Sequence, residues 1–269
     1  MITVKTYPTL SSKYDELVCT AGFRPDGSWV RIYPIPFRKL DYNDRYAKYQ
    51  WIELDLIRNT RDPRPESYRP RNYEDMVLGE RIGTGKDRLW LQRKEVVFQK
   101  GYYTNMTHLI AEAKDKQICT SLATFKPTKI LDFVIASTDR EWDQEKLKKL
   151  RARALQYKLF EKSENPFEVV AKVTYKFSYK FIDDQGNESK LMIEDWEICQ
   201  LYWNSLRRHD GNEAKACNDV KRKYYDDFAL TKDLYFFLGT TRAFHFMAPN
   251  PFIIIGTFHP KKEYQGRLF

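Results

Sequence analysis

The chain has 269 residues, enough for about two domains at the usual ~150 residues per domain. Hydrophobic residues make up 42% and charged residues 31%, a globular composition that excludes fibrous and disulfide-scaffold proteins. Lys and Arg number 46 against 37 Asp and Glu, and the resulting net charge of +9 favours a polyanionic partner over a cationic or neutral apolar ligand.

The first predicted unit is a β-hairpin. Residues 17–56 alternate apolar and polar side chains around tight turns, a pattern typical of strands. The turn 25–27 is Pro-Asp-Gly, which presets the backbone angles that a hairpin connection needs. Pro34 and Pro36 lack N–H donors, so we expect the strand 29–33 to leave the sheet there or to lie along its edge.

A basic segment follows at residues 58–71. It contains five arginines and three prolines and shows neither helical nor strand periodicity. We therefore expect an exposed basic loop.

The remainder of the first half adds strands and one helix. Residues 89–99 and 127–136 have strand-like patterns, and Thr104 or Asn105 is placed to cap a short helix that ends near Gln117. Five or six strands with one helix fit a small closed barrel better than alternating βαβ units.

The second half opens with a helical pattern at residues 140–162 and then a period-two segment. In residues 172–181 the lysines lie on one face of a strand, and Tyr175, Phe177, Tyr179 and Phe181 lie on the other. We expect the aromatic face to be core and the lysine face to be solvated.

Helices and strands complete the C-terminal part. A helix begins at about Asp195, where the carboxylate is placed to act as the N-cap, and a second helix is predicted over residues 213–230. The apolar runs 233–241 and 251–259 predict two buried strands.

The sequence thus predicts an α+β protein. Residues 1–139 form a small β-barrel, OB-like or related, residues 140–165 a connecting helix, and residues 166–269 a domain of mixed β-sheet and helices. A second OB-like barrel with added helices is the alternative for this last domain.

Location and cofactors are predicted from what the sequence lacks. No export signal precedes residue 19 and the longest apolar runs are too short to span a bilayer, so we expect a cytoplasmic protein that makes no membrane contact. The four cysteines, at positions 19, 119, 199 and 217, form no CxxC pair, and the four histidines form no chelating pair. We therefore predict neither a metal site nor another cofactor.

Candidate catalytic groups are few, because neither a phosphate-binding loop nor a Rossmann fingerprint is present. Residues 240–245 carry a compact polar group in which Arg242 and His245 suit phosphate binding or acid–base chemistry, with a carboxylate from Asp195 or Glu197. The alternatives are structural: a loop that satisfies its own backbone, and an N-cap at Asp195.

Arginines and aromatic side chains in the first domain suit nucleic acid, because cations hold phosphates and aromatic faces stack on bases. The candidate binding residues are Arg24, Trp29, Arg31, Tyr33, Arg38, Arg58, Arg61, Arg64, Tyr68, Arg69 and Arg71. Trp29, Arg31 and Tyr33 share one face of their strand and would form a surface platform. The alternative places Trp29 and Tyr33 in the core, with Arg31 paired to an acid such as Asp55.

A short stretch near the N-terminus resembles a known family. Cys19, Ala21 and Gly22, followed by Trp29-Val30-Arg31 with Pro34 displaced by one position, resemble the opening of the dual OB-containing domains of bacterial conflict systems. The resemblance covers about a tenth of the chain. It implies two five-stranded barrels and a nucleic-acid-related or defence-associated role, and it carries over no catalytic residues.

Three functions are weighed. The leading hypothesis is a noncatalytic protein that binds nucleic acid, DNA or RNA, or another phosphate-bearing ligand, through the candidate residues above. The alternatives are a phosphodiesterase- or nuclease-like enzyme that uses a C-terminal Arg/His/carboxylate cleft, and a protein-interaction module.

Overall fold

The computed structural model describes residues 1–10, 16–35, 37, 40, 45–145, 147–148 and 170–263. The strands are β1 (Ile2–Lys5), β2 (Thr9–Leu10), β3 (Glu16–Phe23), β4 (Trp29–Ile35), β5 (Gln50–Glu53), β6 (Leu56–Arg58), β7 (Ser67–Pro70), β8 (Val77–Arg81), β9 (Leu122–Phe125), β10 (Lys129–Ser137), β11 (Tyr175–Ile182), β12 (Glu188–Met192), β13 (Tyr235–Thr240) and β14 (Phe252–Phe258). The helices are α1 (Leu91–Val97), α2 (Met106–Lys114), α3 (Trp196–Arg208) and α4 (Glu213–Lys221), which continues into a π-helix at Arg222–Ala229. The predicted α+β class is confirmed.

The N-terminal sheet is curled. Its strands follow the order β6-β7-β4-β3-β1-β5-β8, with β2 beside β3, and among these described strands only the β4–β7 pair is parallel. Within the described residues, β6 and β8 form the two ends of this path and do not pair with each other. The sheet is therefore a half-barrel rather than the closed barrel that the strand count predicted.

The strand β4 lies inside this sheet, which corrects the expectation of an edge strand. It pairs with β3 on one side and β7 on the other, and it includes Pro34. The β3–β4 register shifts between Val18 and Thr20, so Tyr33 and Pro34 together oppose Cys19. A bulge of this kind leaves a residue out of the ladder, which explains how a proline is accommodated here.

Both faces of β4, inside the half-barrel, are covered by other side chains. Val30 and Ile32 of β4 point into one hydrophobic cluster, together with Ile2 and Val18. Trp29, on the opposite face, packs with Phe23 against Phe237 of β13. The C-terminal half thus covers the face of β4 that the sequence placed at the surface.

The C-terminal half contains two three-stranded sheets, β10-β11-β12 and β14-β13-β9. Phe177, Tyr179 and Phe181 are buried in the largest hydrophobic cluster, which confirms the predicted aromatic core face of β11. The strands β9 and β10 take their partners from β11 and β13, which lie beyond residue 170.

Local predictions had mixed outcomes. Asn105 caps α2 by accepting a hydrogen bond from the His108 amide, as predicted. Residues 89–99 do not form a strand, because α1 occupies most of this segment with Arg93 and Val97 buried one turn apart. The division at residues 140–165 stays a prediction, and most of the predicted connecting helix, residues 149–165, lies outside the described residues.

Other structural details concern cysteines and membranes. All four cysteines are free, and three of them, Cys119, Cys199 and Cys217, are buried. Among the described residues, every helix is too short or too polar to cross a membrane.

Candidate nucleic-acid interface

A cavity of about 340 Å³ lies between the β3–β4 hairpin and the start of the C-terminal half. Trp29 and Tyr103 supply aromatic walls, and Arg24 and Lys100 supply positive charge. Glu66 supplies the one carboxylate among the lining residues. Aromatic walls with a few charged groups are typical of small-ligand sites, and the volume lies at the lower end of their usual range of about 300–1,000 Å³.

One wall of the cavity is fixed by a close approach between the hairpin tip and the segment after α1. Gly27 has a φ of 75° and lies against Gln99, whose Cβ would be only 2.7 Å from a side-chain carbon at position 27. Glycine alone meets both requirements without strain, because it accepts positive φ and has no Cβ. The hairpin tip is thus held at the entrance by packing.

A cation–π stack borders the cavity. The Arg24 guanidinium lies 4.6 Å from the centre of the Tyr68 ring, and the Arg58 guanidinium lies 5.7 Å from it. Arg58 also donates a 2.7 Å hydrogen bond to the Ser67 carbonyl. Tyr68 is half-buried and holds both guanidinium groups at the surface.

Three further arginines of the predicted set, Arg61, Arg69 and Arg71, are exposed. We call them, with Arg24 and Arg58, the basic strip. Arg71 lies 3.9 Å from the carboxylate of Asp55, and both side chains of this pair are well exposed. Such a pair is weak in water, so it leaves the guanidinium free to contact phosphate.

Arg31 does not belong to an exposed platform. It is 3% exposed and donates hydrogen bonds to the Ser121 hydroxyl at 2.7 Å and to the Ser121 carbonyl at 3.0 Å. Ser121 in turn donates to Glu66, from its hydroxyl at 2.7 Å and from its amide at 3.2 Å. The acidic group near Arg31 is therefore Glu66, reached through Ser121, and not the suggested Asp55.

Arg64 is buried as well, which corrects the prediction that residues 58–71 form one exposed loop. Its guanidinium binds both carboxylate oxygens of Asp62 and the Thr240 carbonyl. Burial alone would raise the pKa of Asp62, but Arg64 and Ser67 hold it well below its ordinary value. This segment contains β7 and the end of β6, and its centre is anchored to the C-terminal half.

The predicted catalytic residue His245 belongs to this same buried network. Its Nδ1 lies 2.7 Å from the Thr240 hydroxyl, and its Nε2 lies 3.3 Å from the Cys119 sulfur. Burial lowers the pKa of His245, and the nearby charges of Arg64 and Arg31 lower it further. Arg242 is exposed, outside this network.

The carboxylates predicted to join His245 lie in a second polar cluster. Lys48 donates to Asp195 at 3.1 Å and to Glu197 at 2.7 Å. Asp195 also accepts a hydrogen bond from the Glu197 amide, which confirms its role as the N-cap of α3. Within the described part of the chain, no hydrogen bond or ion pair joins Asp195 or Glu197 to His245 or Arg242.

Comparisons with known proteins assign the chain to a family. Residues 103–269 match the family model described as Domain of unknown function (DUF8757), and residues 1–99 match Domain of unknown function (DUF8758). The chain belongs to the DUF8757 family. No curated protein matches it.

In this DUF8757 chain the predicted binding residues divide into three groups. The exposed residues are Arg61, Arg69 and Arg71. The half-buried residues are Arg24, Trp29, Tyr33, Arg58 and Tyr68, and the buried residues are Arg31 and Arg64. Arg38 lies outside the described residues. The structure thus brings Arg24, Trp29, Arg58 and Tyr68 together and separates Arg31 and Arg64 from solvent.

The sequence predicted only Arg24 and Trp29 among the residues that line the cavity, and the residues it missed include Glu66, Lys100, Tyr103 and Thr124. These four come from three segments, around residues 66, 100–103 and 124, and no motif connects them. The buried Thr124 hydroxyl makes no hydrogen bond within the described residues. The only local signal was the aromatic pair Tyr102-Tyr103 beside Lys100, which precedes a helix cap.

Proposed function

We propose that the chain binds single-stranded nucleic acid, with the basic strip on the phosphates and the adjoining cavity at the end of this path. The observation that carries the proposal is the position of Arg24. This residue lines the cavity and also stacks on Tyr68 beside Arg58, so two guanidinium groups of the basic strip adjoin the aromatic-walled cavity.

Charge and exposure support a phosphate partner. The chain has a net charge of +9, and the basic strip contributes five guanidinium groups that are exposed or half-buried. Each phosphate contact by such a group releases counterions, which makes binding strongly dependent on salt. Guanidinium groups also bind phosphate oxygens bidentately, a geometry that lysine cannot offer.

The aromatic residues have a different role from the base stacking that the sequence predicts. Tyr68 carries an arginine above its ring, so it positions cations rather than stacking on a base. Trp29 contacts Phe23 at a ring distance of 4.0 Å and also lines the cavity. We include in this proposal that the half-barrel is OB-like. We also include the defence-associated role that the resemblance implies.

Binding is favoured over catalysis by the separation of the candidate catalytic groups. His245 contacts Cys119 and Thr240, whereas Asp195 is held by Lys48. A general acid or base needs hydrogen-bond reach to the reacting atoms. The buried His245 and the fully paired Asp195 are better explained as structural groups.

The experiment is a binding titration of a labelled single-stranded oligonucleotide, followed by fluorescence anisotropy. The triple variant R61S/R69S/R71S removes three exposed charges of the basic strip. The matched control K129S/K176S/K190S removes three exposed charges from the β10–β12 sheet. We expect the first variant to bind at least ~10-fold more weakly and the control to bind nearly as the wild type does, since phosphate contacts are local. Equal losses in both variants would contradict the proposal.

A further inference from the structure

We propose that the cavity holds one guanine base, with the attached phosphate on Arg24 and Lys100. This inference rests on the proposed function, because it names the nucleotide that the nucleic-acid surface delivers to its end. A cavity of about 340 Å³ accommodates a base and its sugar but not a second stacked nucleotide.

The charges of the cavity are arranged by depth. Lys100 is exposed and Arg24 is half-buried, whereas Thr124 is 3% exposed. The cations thus lie toward solvent and the neutral hydroxyl toward the interior. A ligand with an anionic outer end and an uncharged aromatic head matches this polarity, and a nucleotide that enters base first has this form.

One acid, Asp26, lies on the hairpin tip beside these cations. Its Oδ1 accepts hydrogen bonds from the Ser28 amide at 3.0 Å and from the Ser28 hydroxyl at 2.6 Å. These bonds hold the pKa of Asp26 below its ordinary value, with smaller contributions from Lys100 and Arg24. The carboxylate stabilises the turn, and the two cations leave the entrance of the cavity with a net positive charge.

The aromatic walls supply stacking surface. Tyr103 is fixed by the hydrogen bond that its hydroxyl donates to Glu112 at 2.7 Å. Trp29 is fixed by its contacts with Phe23 and Phe237. Rings held in place by other contacts lose little entropy when a base packs against them, which favours binding.

Glu66 gives the cavity a preference among the bases. Both of its carboxylate oxygens accept hydrogen bonds from Ser121, and a carboxylate accepts about four in all. Two adjacent hydrogen-bond donors on a ligand would fill the remaining acceptor positions of the carboxylate. Guanine has such a pair in N1–H and the 2-amino group, whereas adenine, cytosine and uracil each place an acceptor beside their donor.

The test is a titration of the full chain with mononucleotides, followed by the quenching of tryptophan fluorescence. We expect GMP to bind at least ~10-fold more tightly than IMP, which lacks the 2-amino group, and more tightly than AMP or UMP. Glu66→Gln should remove most of the preference for GMP. Because Glu66 also supports Ser121, Lys100→Ser provides a second variant, which leaves Ser121 in place and should weaken GMP binding ~3- to 10-fold by removing a phosphate contact.

The outcomes separate the two proposals. If oligonucleotides bind but GMP binds no better than AMP, the assignment of the cavity is wrong and the nucleic-acid surface stands. If GMP binds with the expected preference and R61S/R69S/R71S binds oligonucleotide as the wild type does, the cavity stands and the basic strip is wrong. A GMP preference that persists in Glu66→Gln, or an unchanged GMP affinity in Lys100→Ser, would also overturn the assignment of these residues.

Discussion

Lys48 and Asp195 form a buried ion pair that joins the N-terminal half-barrel to the first turn of α3. The Lys48 Nζ lies 3.1 Å from the Asp195 carboxylate, and the two side chains are 6% and 0% exposed. Although burial opposes it, Asp195 and Glu197 raise the pKa of Lys48 above its ordinary value. Asp195 therefore has two tasks, as the N-cap of α3 and as the partner of a lysine 147 residues away.

Replacing Lys48 tests this connection. Lys48→Met leaves the buried Asp195 carboxylate without its cation, and we expect a loss of about 3–5 kcal/mol in the free energy of unfolding, measured by urea denaturation. The control is Arg71→Met in the exposed pair with Asp55, which should change stability by less than about 1 kcal/mol. Similar stabilities for the two variants would show that the Lys48 pair is not structural.

Arg31 is expected to act in stability rather than in binding. Arg31→Met removes the hydrogen bonds that Arg31 donates to the Ser121 hydroxyl and carbonyl and should cost about 1–3 kcal/mol, measured by the same denaturation. Below its melting temperature the variant should bind oligonucleotide with the wild-type salt dependence, because the Arg31 side chain is shielded from solvent. A reduced salt dependence would show that Arg31 contacts the nucleic acid.

His259 predicts a pH-dependent stability. Burial lowers its pKa from 6.5 to about 3, with Lys48 and Lys223 lowering it and Glu197 and Asp227 opposing them. The folded state keeps His259 neutral where the unfolded state binds a proton, so its contribution is present above pH ~6.5 and is lost as the pH falls toward 3. The slope is at most ~1.4 kcal/mol per pH unit.

The measurement is urea denaturation at several pH values between 7 and 4 for the wild type and for His259→Asn. The variant lacks this titration, although it also loses the stacking on Phe228 at a ring distance of 3.6 Å. The comparison therefore uses the slope with pH and not the absolute stability. Parallel curves of the free energy of unfolding against pH for the two proteins would contradict the assignment of the lowered pKa to His259.

Alanine variants of two glycines distinguish the cost of backbone strain from the cost of a steric clash. One of these glycines, Gly27, lines the cavity and the other, Gly186, does not. Gly27 and Gly186 have φ angles of 75° and 79°, but only Gly27 has an atom within 4 Å of the site of an added Cβ. Gly186→Ala should cost about 1–2 kcal/mol from the backbone alone. Gly27→Ala should cost more, because Gln99 must move, and thermal denaturation of the two variants measures the difference.

The sequence predicted well those parts of the fold that depend on regular periodicity and on helix capping. The alternation along β11 identified its core face because one face of that sheet is solvated. The α3 N-cap followed from the position of Asp195, and the β3–β4 hairpin followed from Pro25-Asp26-Gly27. These are local signals that depend little on the rest of the chain.

The failures involve contacts between distant segments. Alternation placed Trp29 and Arg31 on one face, but it could not show that the C-terminal half covers this face with Ser121 and Phe237. Lys48 has no local signal, because its partners lie beyond residue 190. The segment 89–99 satisfies both a short alternation and a helical spacing, and burial of Arg93 and Val97 decides for the helix.

The central claim, that exposed arginines of the basic strip bind nucleic acid, is tested most directly by the salt dependence of oligonucleotide affinity. For single strands, the slope of log K against log salt is about −0.7 for each phosphate contact. The account predicts that R61S/R69S/R71S has a slope smaller in magnitude by about 2 than the wild type, and that K129S/K176S/K190S has the wild-type slope. Equal slopes for the wild type and R61S/R69S/R71S would contradict it.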